Sequence, residues 1–329
     1  MDLRTTFSIP PSDSRISYSS PVMFAGSCFA NEIGKRMAEG KMKVLINPAG
    51  TVYNPVSIAN TIDLVIENRM MKAGELYSSH GRYMSFLHYT DFTSEDPLFT
   101  IEKINKSTRE AHLFLKEASF LFITFGTAMI YKLADTLQVV SNCHKLPPGM
   151  FLQEMLTVDE IVNIWNGLLG RLHSFNPNLK VIFTISPVRH WKDGAHKNQL
   201  SKSALFIATE ELLRHKVVQG YFPAYEIVMD DLRDYRFYAN DMLHPSEKAI
   251  DYVWDAFADC YFEPSSLSVL KEVRNLGRSV HHRLSDSSPA ARREFASVML
   301  KRILAFGQKN PLIDFSNEIA YFKGIESGS

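Results

Sequence analysis

Five short apolar runs punctuate the chain: PVMFA at 21–25, KVLI at 43–46, FLFITF at 120–125, KVIFTI at 180–185 and YEIVM at 225–229. None alternates with polar residues, the pattern of parallel strands covered on both faces. Helical candidates fall between them, at 29–40, 55–70, 101–117, 157–174, 198–218 and 246–262. In the last, Ala249, Val253 and Phe257 recur every four residues and form one apolar stripe. The alternation predicts an α/β domain of three layers around a mostly parallel sheet. Residues 71–99 interrupt it with scattered His, Gly, Tyr and Asp and predict an insertion holding a short strand or hairpin. After YFEPSS at 261–266 the pattern turns mainly helical, which predicts a domain over 1–264 and a helical extension over 265–329. The clearest helix of that extension starts at Ser288 and Pro289, where serine caps and proline suits the first helical position. Its apolar stripe is Phe295, Met299, Ile303 and Phe306, suited either to covering the core domain or to an oligomer contact.

Composition narrows the function classes. Hydrophobic residues make up 45% of the 329 and aromatics 12%, enough for a sizeable core and against disorder. Lys+Arg and Asp+Glu both total 36, so no global field draws the chain to nucleic acid or an anionic membrane. Three scattered cysteines, an N-terminus without an apolar core and no membrane-length apolar run lead to an expected soluble, cytoplasmic protein with free thiols.

In a parallel α/β sheet, reactive groups gather where strands end and loops enter helices. FAGSCFANEIGKRM, residues 24–37, places Ser27 and Cys28 at such a point. Ser27 is either a plain helix cap or a nucleophile whose oxyanion the amides of the helix start could hold. Cys28 is expected to pack into the core. As a nucleophile it would need an electropositive setting, with His144 or His244 as base. NDMLHPSEKA, residues 240–249, supplies Asp241 and His244 three apart, so a tight turn lets the carboxylate bond Nδ1–H and leave Nε2 free as a base. A serine hydroxyl needs such a base near neutral pH.

Further polar loops follow other strands. NPAGTVYNP (47–55) offers Gly50, FGTAMIY (125–131) offers Gly126 and Thr127, and SNCHKLPP (141–148) holds Asn142, His144 and Lys145. Glycine amides and an asparagine amide are the usual donors of an oxyanion hole. SPVRHWKDG (186–194) brings Arg189 and His190 to a strand end, either as a solvated loop or as a substrate loop for an anionic or polar group. No HExxH, paired CxxC or Walker-type loop is present, so neither a metal nor a cofactor is expected.

Gly26-Ser27-Cys28-Phe29-Ala30 resembles the name-giving motif of the GSCFA domain family. Asn142-Cys143-His144-Lys145, Ser186-Pro187-Val188-Arg189-His190 and Asp241-x-x-His244-Pro245-Ser246 resemble it too, over approximately residues 20 to 262. The family is grouped with the SGNH/GDSL hydrolases, and the resemblance implies a flavodoxin-like three-layer α/β/α sandwich. It further implies Ser27 as nucleophile, Asp241 and His244 as its partners and Gly50 as an oxyanion donor. The third block of that superfamily usually reads Gly-x-Asn-Asp, whereas Gly126 here is followed by Thr127, Ala128 and Met129. Asn142 or Thr127 would then have to replace the missing asparagine. The expected function is a serine ester hydrolase, or an acyltransferase, acting on O-acyl groups of a carbohydrate or small polar metabolite. The substrate-binding candidates are Arg189, His190, His144 and Lys145. Expected partners are that small-molecule or glycan ester, no nucleic acid, and a homo-oligomer contact through the C-terminal helices. The alternative is a non-catalytic glycan- or acyl-ligand-binding protein on a hydrolase scaffold.

Overall fold

A computed structural model describes residues 5–280 and 288–327. Ten strands lie among the described residues: β1 (Val22–Gly26), β2 (Val44–Ile46), β3 (Tyr77–Ser79), β4 (Arg82–Met84), β5 (Phe120–Phe125), β6 (Met129–Leu133), β7 (Val139–Val140), β8 (Phe151–Met155), β9 (Lys180–Ile185) and β10 (Val218–Phe222). Five of them form an all-parallel sheet in the order β10-β9-β5-β1-β2. The helices long enough to shape the fold are α1 (Cys28–Glu39), α2 (Pro55–Glu67), α3 (Pro97–Glu117), α4 (Val158–Phe175), α5 (Ala195–Leu212) and α6 (Glu247–Tyr261), followed by α7 (Pro264–Val280), α8 (Pro289–Lys309) and α9 (Ser316–Ser327).

Successive strand residues point to opposite faces of a sheet, and this chain fills both. Val22, Phe24, Phe120, Phe122 and Ile182 face α1 and α6, where Phe122 meets Phe257 edge-on at 5.0 Å. Met23, Ala25, Leu121, Ile123, Val181 and Phe183 face α2, α3, α4 and α5, with Trp165 wedged against Phe125 and Phe183. The absence of polar alternation therefore has a direct cause: two helical layers, one on each side of the sheet. This is the three-layer α/β/α sandwich that the pattern predicts.

One strand differs from expectation. YEIVM is helical, a short turn at Ala224–Glu226 running into a π-helical stretch at Ile227–Asp231, and the fifth strand is VQGYF at Val218–Phe222. Ile227 and Val228 bury one side of that turn in the α1/α6 layer. A four- or five-residue apolar run cannot distinguish a buried strand from a buried helical turn. The true strand is disguised by Gln219 and Gly220, where the register with β9 shifts. It lies within and just beyond the helix expected at 198–218, which ends at Leu212.

The insertion contains the expected hairpin, β3 with β4, turning at His80 and Gly81 with both φ positive. A second antiparallel sheet, β7-β6-β8, follows β5 and carries the 141–148 loop. The terminal helices α7, α8 and α9 share a cluster of their own that includes Val273, Met299, Ile303 and Phe322. Lys41 at the end of α1 pairs with Glu318 of α9 at 3.0 Å. No helix among the described residues is long and apolar enough to cross a membrane.

Candidate active site

Sheet register brings the loops together. Gly26, Thr124, Thr184 and Phe222 lie in one row across β1, β5, β9 and β10, so the segments that follow these strands emerge side by side. Gly26 has φ of +139°, and a Cβ there would stand 2.2 Å from Thr124 O, so only glycine fits. The Gly26 amide donates to Asn47 Oδ1 at 2.8 Å. Asn47 donates in turn to Asn31 and Asn31 to Thr51, both at 2.8 Å, tying the first two strand-end loops together.

Ser27 occupies the N-cap of α1 but caps nothing. Its Oγ is buried and has no hydrogen-bond partner among the described residues, with the residue only 1% exposed. The polar caps of α2, α3, α4, α6 and α8 all behave otherwise. Asn54, Asp96, Thr157, Ser246 and Ser288 each accept a backbone N–H in the first turn of their helix. A buried hydroxyl left without a partner costs free energy, so the capping explanation of Ser27 fails on its own terms.

Cys28 does not join the core. It is partly buried, belongs to neither sheet-facing cluster and lies in electrostatic range of Lys202, Glu32 and Tyr53. The sheet-facing side of α1 is taken by Phe29, Ala30, Ile33 and Met37, and Cys28 precedes that stripe. Burial pushes its thiol up from the ordinary range, which opposes formation of a thiolate nucleophile.

Asp241 and His244 form the expected pair. Nδ1–H of His244 bonds Oδ2 of Asp241 at 2.6 Å, while Oδ1 accepts the backbone N–H groups of His244 and Leu243, each at 2.9 Å. Those two backbone donors, and then the imidazole, hold the Asp241 carboxyl down to about 2. The turn closes through Ala239 N–H to His244 O at 2.8 Å, and Ser246 then caps α6. No hydrogen bond joins Ser27 Oγ to His244.

His190 lies beside the Gly126 loop near Ser27 and within electrostatic range of His244. A Cβ built on Gly126 would lie 3.3 Å from His190 Nε2 and 3.4 Å from Ser27 Cβ, so ring nitrogen and serine flank the same point above the Gly126 loop. The ring packs edge-on against Tyr53 at 5.4 Å. Burial, followed by the charges of Lys202, Lys192 and His244, lowers its pKa to about 3 and keeps the imidazole neutral.

Lys202 of α5 carries no signal in the sequence as a site residue. It is 1% exposed and donates to the carbonyls of Gly126 at 2.7 Å and Ser186 at 2.6 Å. One ammonium thus clamps the loops after β5 and β9. Its only sequence clue is position: NQLSKSALF reads as an ordinary polar helix face, and only the register across the sheet reveals that this face is buried.

The other candidates are engaged elsewhere. The amide of Ser27 donates to Thr124 O, that of Gly50 to Asn47 O, and those of Gly126 and Thr127 to Tyr53 O. Thr127 Oγ1 is bonded to Ser201 Oγ and to the Met129 amide. Asn142 donates to Thr90 and accepts the His144 amide, and His144 Nε2–H bonds Ser85 O at 2.8 Å. The Asn142 and His144 side chains are thus turned toward the 71–99 insertion, and Lys145 beside them is exposed.

A cleft of about 600 Å³ opens beside Asp241, lined in part by Arg189, Trp191, Tyr235, Tyr238 and Leu243. A larger one, about 890 Å³, lies along α1, α6 and α7 and contains none of the candidate site residues. Its acids and bases neutralise each other, as in Arg36 with Glu247 and Asp251. Among the described residues no three His, Cys, Asp or Glu side chains are placed to hold a metal ion.

Two buried imidazoles set a pH dependence of stability. Burial, with His144 nearby, lowers His88 to about 4, and His190 sits at about 3. Below their ordinary value of 6.5 the unfolded chain takes up protons that the folded protein refuses. Stability is therefore full above that value and is lost as pH falls toward 4. Thermal unfolding followed from pH 7 down to pH ~4.5 is expected to show a falling Tm, less so in a His88→Gln, His190→Gln double variant. Parallel curves for the two proteins would contradict this assignment.

Among solved structures, the chain is similar to a carbohydrate esterase family 3 protein from Talaromyces cellulolyticus, at 10% identity and a TM-score of 0.35, with 77% of this chain and 99% of that one covered. It is also similar to a candidate platelet activating factor from Streptococcus pneumonia, at 12% identity and a TM-score of 0.38, with coverages of 74% and 85%. Curated proteins yield no match. The family model for GSCFA proteins matches residues 21–257, most of the chain and all of the site from β1 through the Asp241 turn, and the chain belongs to the GSCFA family.

Proposed function

We propose that the protein is a serine esterase that removes an O-acyl, acetyl-like group from a carbohydrate or another small polar metabolite. The observation that carries this reading is the orphaned Ser27 hydroxyl, a buried polar cap at a strand end that caps nothing, unlike Asn54, Asp96, Thr157, Ser246 and Ser288. Ser27 Oγ attacks the acyl carbon, and His244, oriented through Nδ1 by Asp241, takes the proton on Nε2. Collapse of the tetrahedral intermediate expels the alcohol, which takes that proton back from His244. Water, deprotonated by His244, then releases the acyl group from Ser27. A second alcohol in place of that water would make the same site an acyltransferase. Ser27 is buried and its bond to His244 unformed, so substrate entry must part the side chains around His190 and complete the contact, as often happens between free and substrate-bound sites.

The missing asparagine is replaced, in this reading, by His190. The loop amides are each bonded to a carbonyl, whereas the His190 ring has no hydrogen bond among the described residues and its Nε2 flanks the Gly126 loop beside Ser27. A neutral imidazole in its Nε2–H form is a donor that no solvent reorganisation has to prepare.

The buried Ser27 hydroxyl also favours a second reading, a glycan- or acyl-ligand-binding protein without turnover. Release of acid from a panel of short-chain acyl esters separates the two. Turnover that drops by roughly 10,000-fold or more in Ser27→Ala is expected; turnover undiminished in that variant overturns the mechanism, and ligand binding without turnover favours the second reading.

A further inference from the structure

The cleft beside Asp241 contains four formal charges, Arg189, Arg233, Asp234 and Asp241. Three are answered within the protein. Arg233 pairs with Asp230 at 3.4 Å, Asp234 with Arg236 at 3.2 Å, and Asp241 with His244. Arg189 is different: the residue is partly buried, and its guanidinium has no ion pair and no hydrogen bond among the described residues. It stands just past the end of β9, within electrostatic range of the buried Lys202 and of Tyr238. Asp234 and Asp241 line the same cleft, but each is taken by its own partner, and no acid among the described residues forms an ion pair with Arg189. A partly desolvated guanidinium is costly unless an anion meets it, and its planar fork matches a carboxylate or phosphate.

The walls around Arg189 are aromatic and open. Trp191 is 51% and Tyr235 78% exposed, although large apolar side chains gain by leaving water. Their rings, with Tyr238 and Leu243, offer flat faces across a volume typical of small-ligand sites.

We propose that this cleft binds a substrate bearing an anionic group, a carboxylate or a phosphate, which Arg189 holds beside the Asp241/His244 pair while Trp191 and Tyr235 pack against the sugar-like ring that carries it. The proposal rests on the esterase reading of the same site for its meaning as a substrate subsite. Its test does not depend on turnover. Trp191 is the exposed one of the three tryptophans, Trp165 and Trp254 being buried, so intrinsic fluorescence reports the cleft.

Full-length protein is titrated with methyl glucuronide, glucose 6-phosphate and the neutral methyl glucoside. At least one anionic sugar is expected to bind about tenfold or more tighter than the neutral one, equivalent to about 1.4 kcal/mol, and Arg189→Gln is expected to erase that margin. Comparing the two anionic sugars tells carboxylate from phosphate. Equal affinities, no response to any of the three, or a preference that survives Arg189→Gln would overturn the proposal. Serine-directed fluorophosphonate labelling of the same preparation separates the two readings. Labelling without charge preference keeps the esterase and removes the anionic subsite, whereas charge preference in a protein that cannot be labelled at Ser27 does the reverse.

Discussion

Replacing His244 by alanine is expected to lower kcat/KM for an acyl ester by roughly 10,000-fold or more, while the fold, read by circular dichroism and Tm, is expected to stay intact. The size of the effect follows from the geometry of the turn. Two backbone N–H groups and one ring N–H converge on Asp241, so the carboxylate stays ionised far below neutral and holds the imidazole in the form whose Nε2 accepts a proton. Asp241→Asn is expected to cost roughly 100- to 10,000-fold, because an amide presents the wrong group to Nδ1 and permits the wrong tautomer. The rival base is His190, which lies nearer the Gly126 loop. Its ring, pulled down to about 3 by burial and two lysines, is too weak a base to hold a proton taken from a serine near neutral pH. A His244→Ala enzyme with near-normal turnover would reverse the roles of the two histidines.

Loss of His190 as the proposed oxyanion donor is expected to give the second large effect. His190→Ala is expected to reduce kcat by roughly 100- to 1,000-fold, the range for one oxyanion donor, with KM nearly unchanged, since the bond strengthens only as charge develops on the acyl oxygen. A structural role alone would not discriminate between replacements of similar size. An oxyanion role would, so His190→Asn or His190→Gln, which return a neutral N–H donor, should recover a substantial part of the lost rate. Equal losses in the alanine and the amide variants would assign the ring a packing role against Tyr53.

Much of this was legible from residue order because the signals are local. A strand end followed by Gly26 and Ser27, and the three-residue spacing of Asp241 and His244, are each decided within a few residues, and the turn geometry follows from them. The apolar strands were legible because both faces of the sheet are covered. What stayed hidden depends on contacts between distant segments. Lys202 is 76 positions from Gly126, whose carbonyl it binds, and nothing near it in the chain marks it as buried. His190 is legible only as a substrate-binding candidate at a strand end, and its place beside the Gly126 loop and Ser27 emerges from the fold. Asn142 and His144 show the converse. Their residue types suit an oxyanion hole or a base, but the 71–99 insertion claims their hydrogen bonds. The YEIVM stretch fails for a third reason: a single buried turn and a single buried strand look alike over five residues.

The central claim, that Ser27 is a reactive hydroxyl and not a cap, is tested most directly by treating the native protein with a fluorophosphonate and locating the adduct by peptide mass mapping. The account predicts one covalent phosphonyl group on Ser27, absent from the Ser27→Ala protein and formed far more slowly in His244→Ala. An adduct on another serine, or on Cys28, or labelling that persists unchanged in Ser27→Ala, would contradict it.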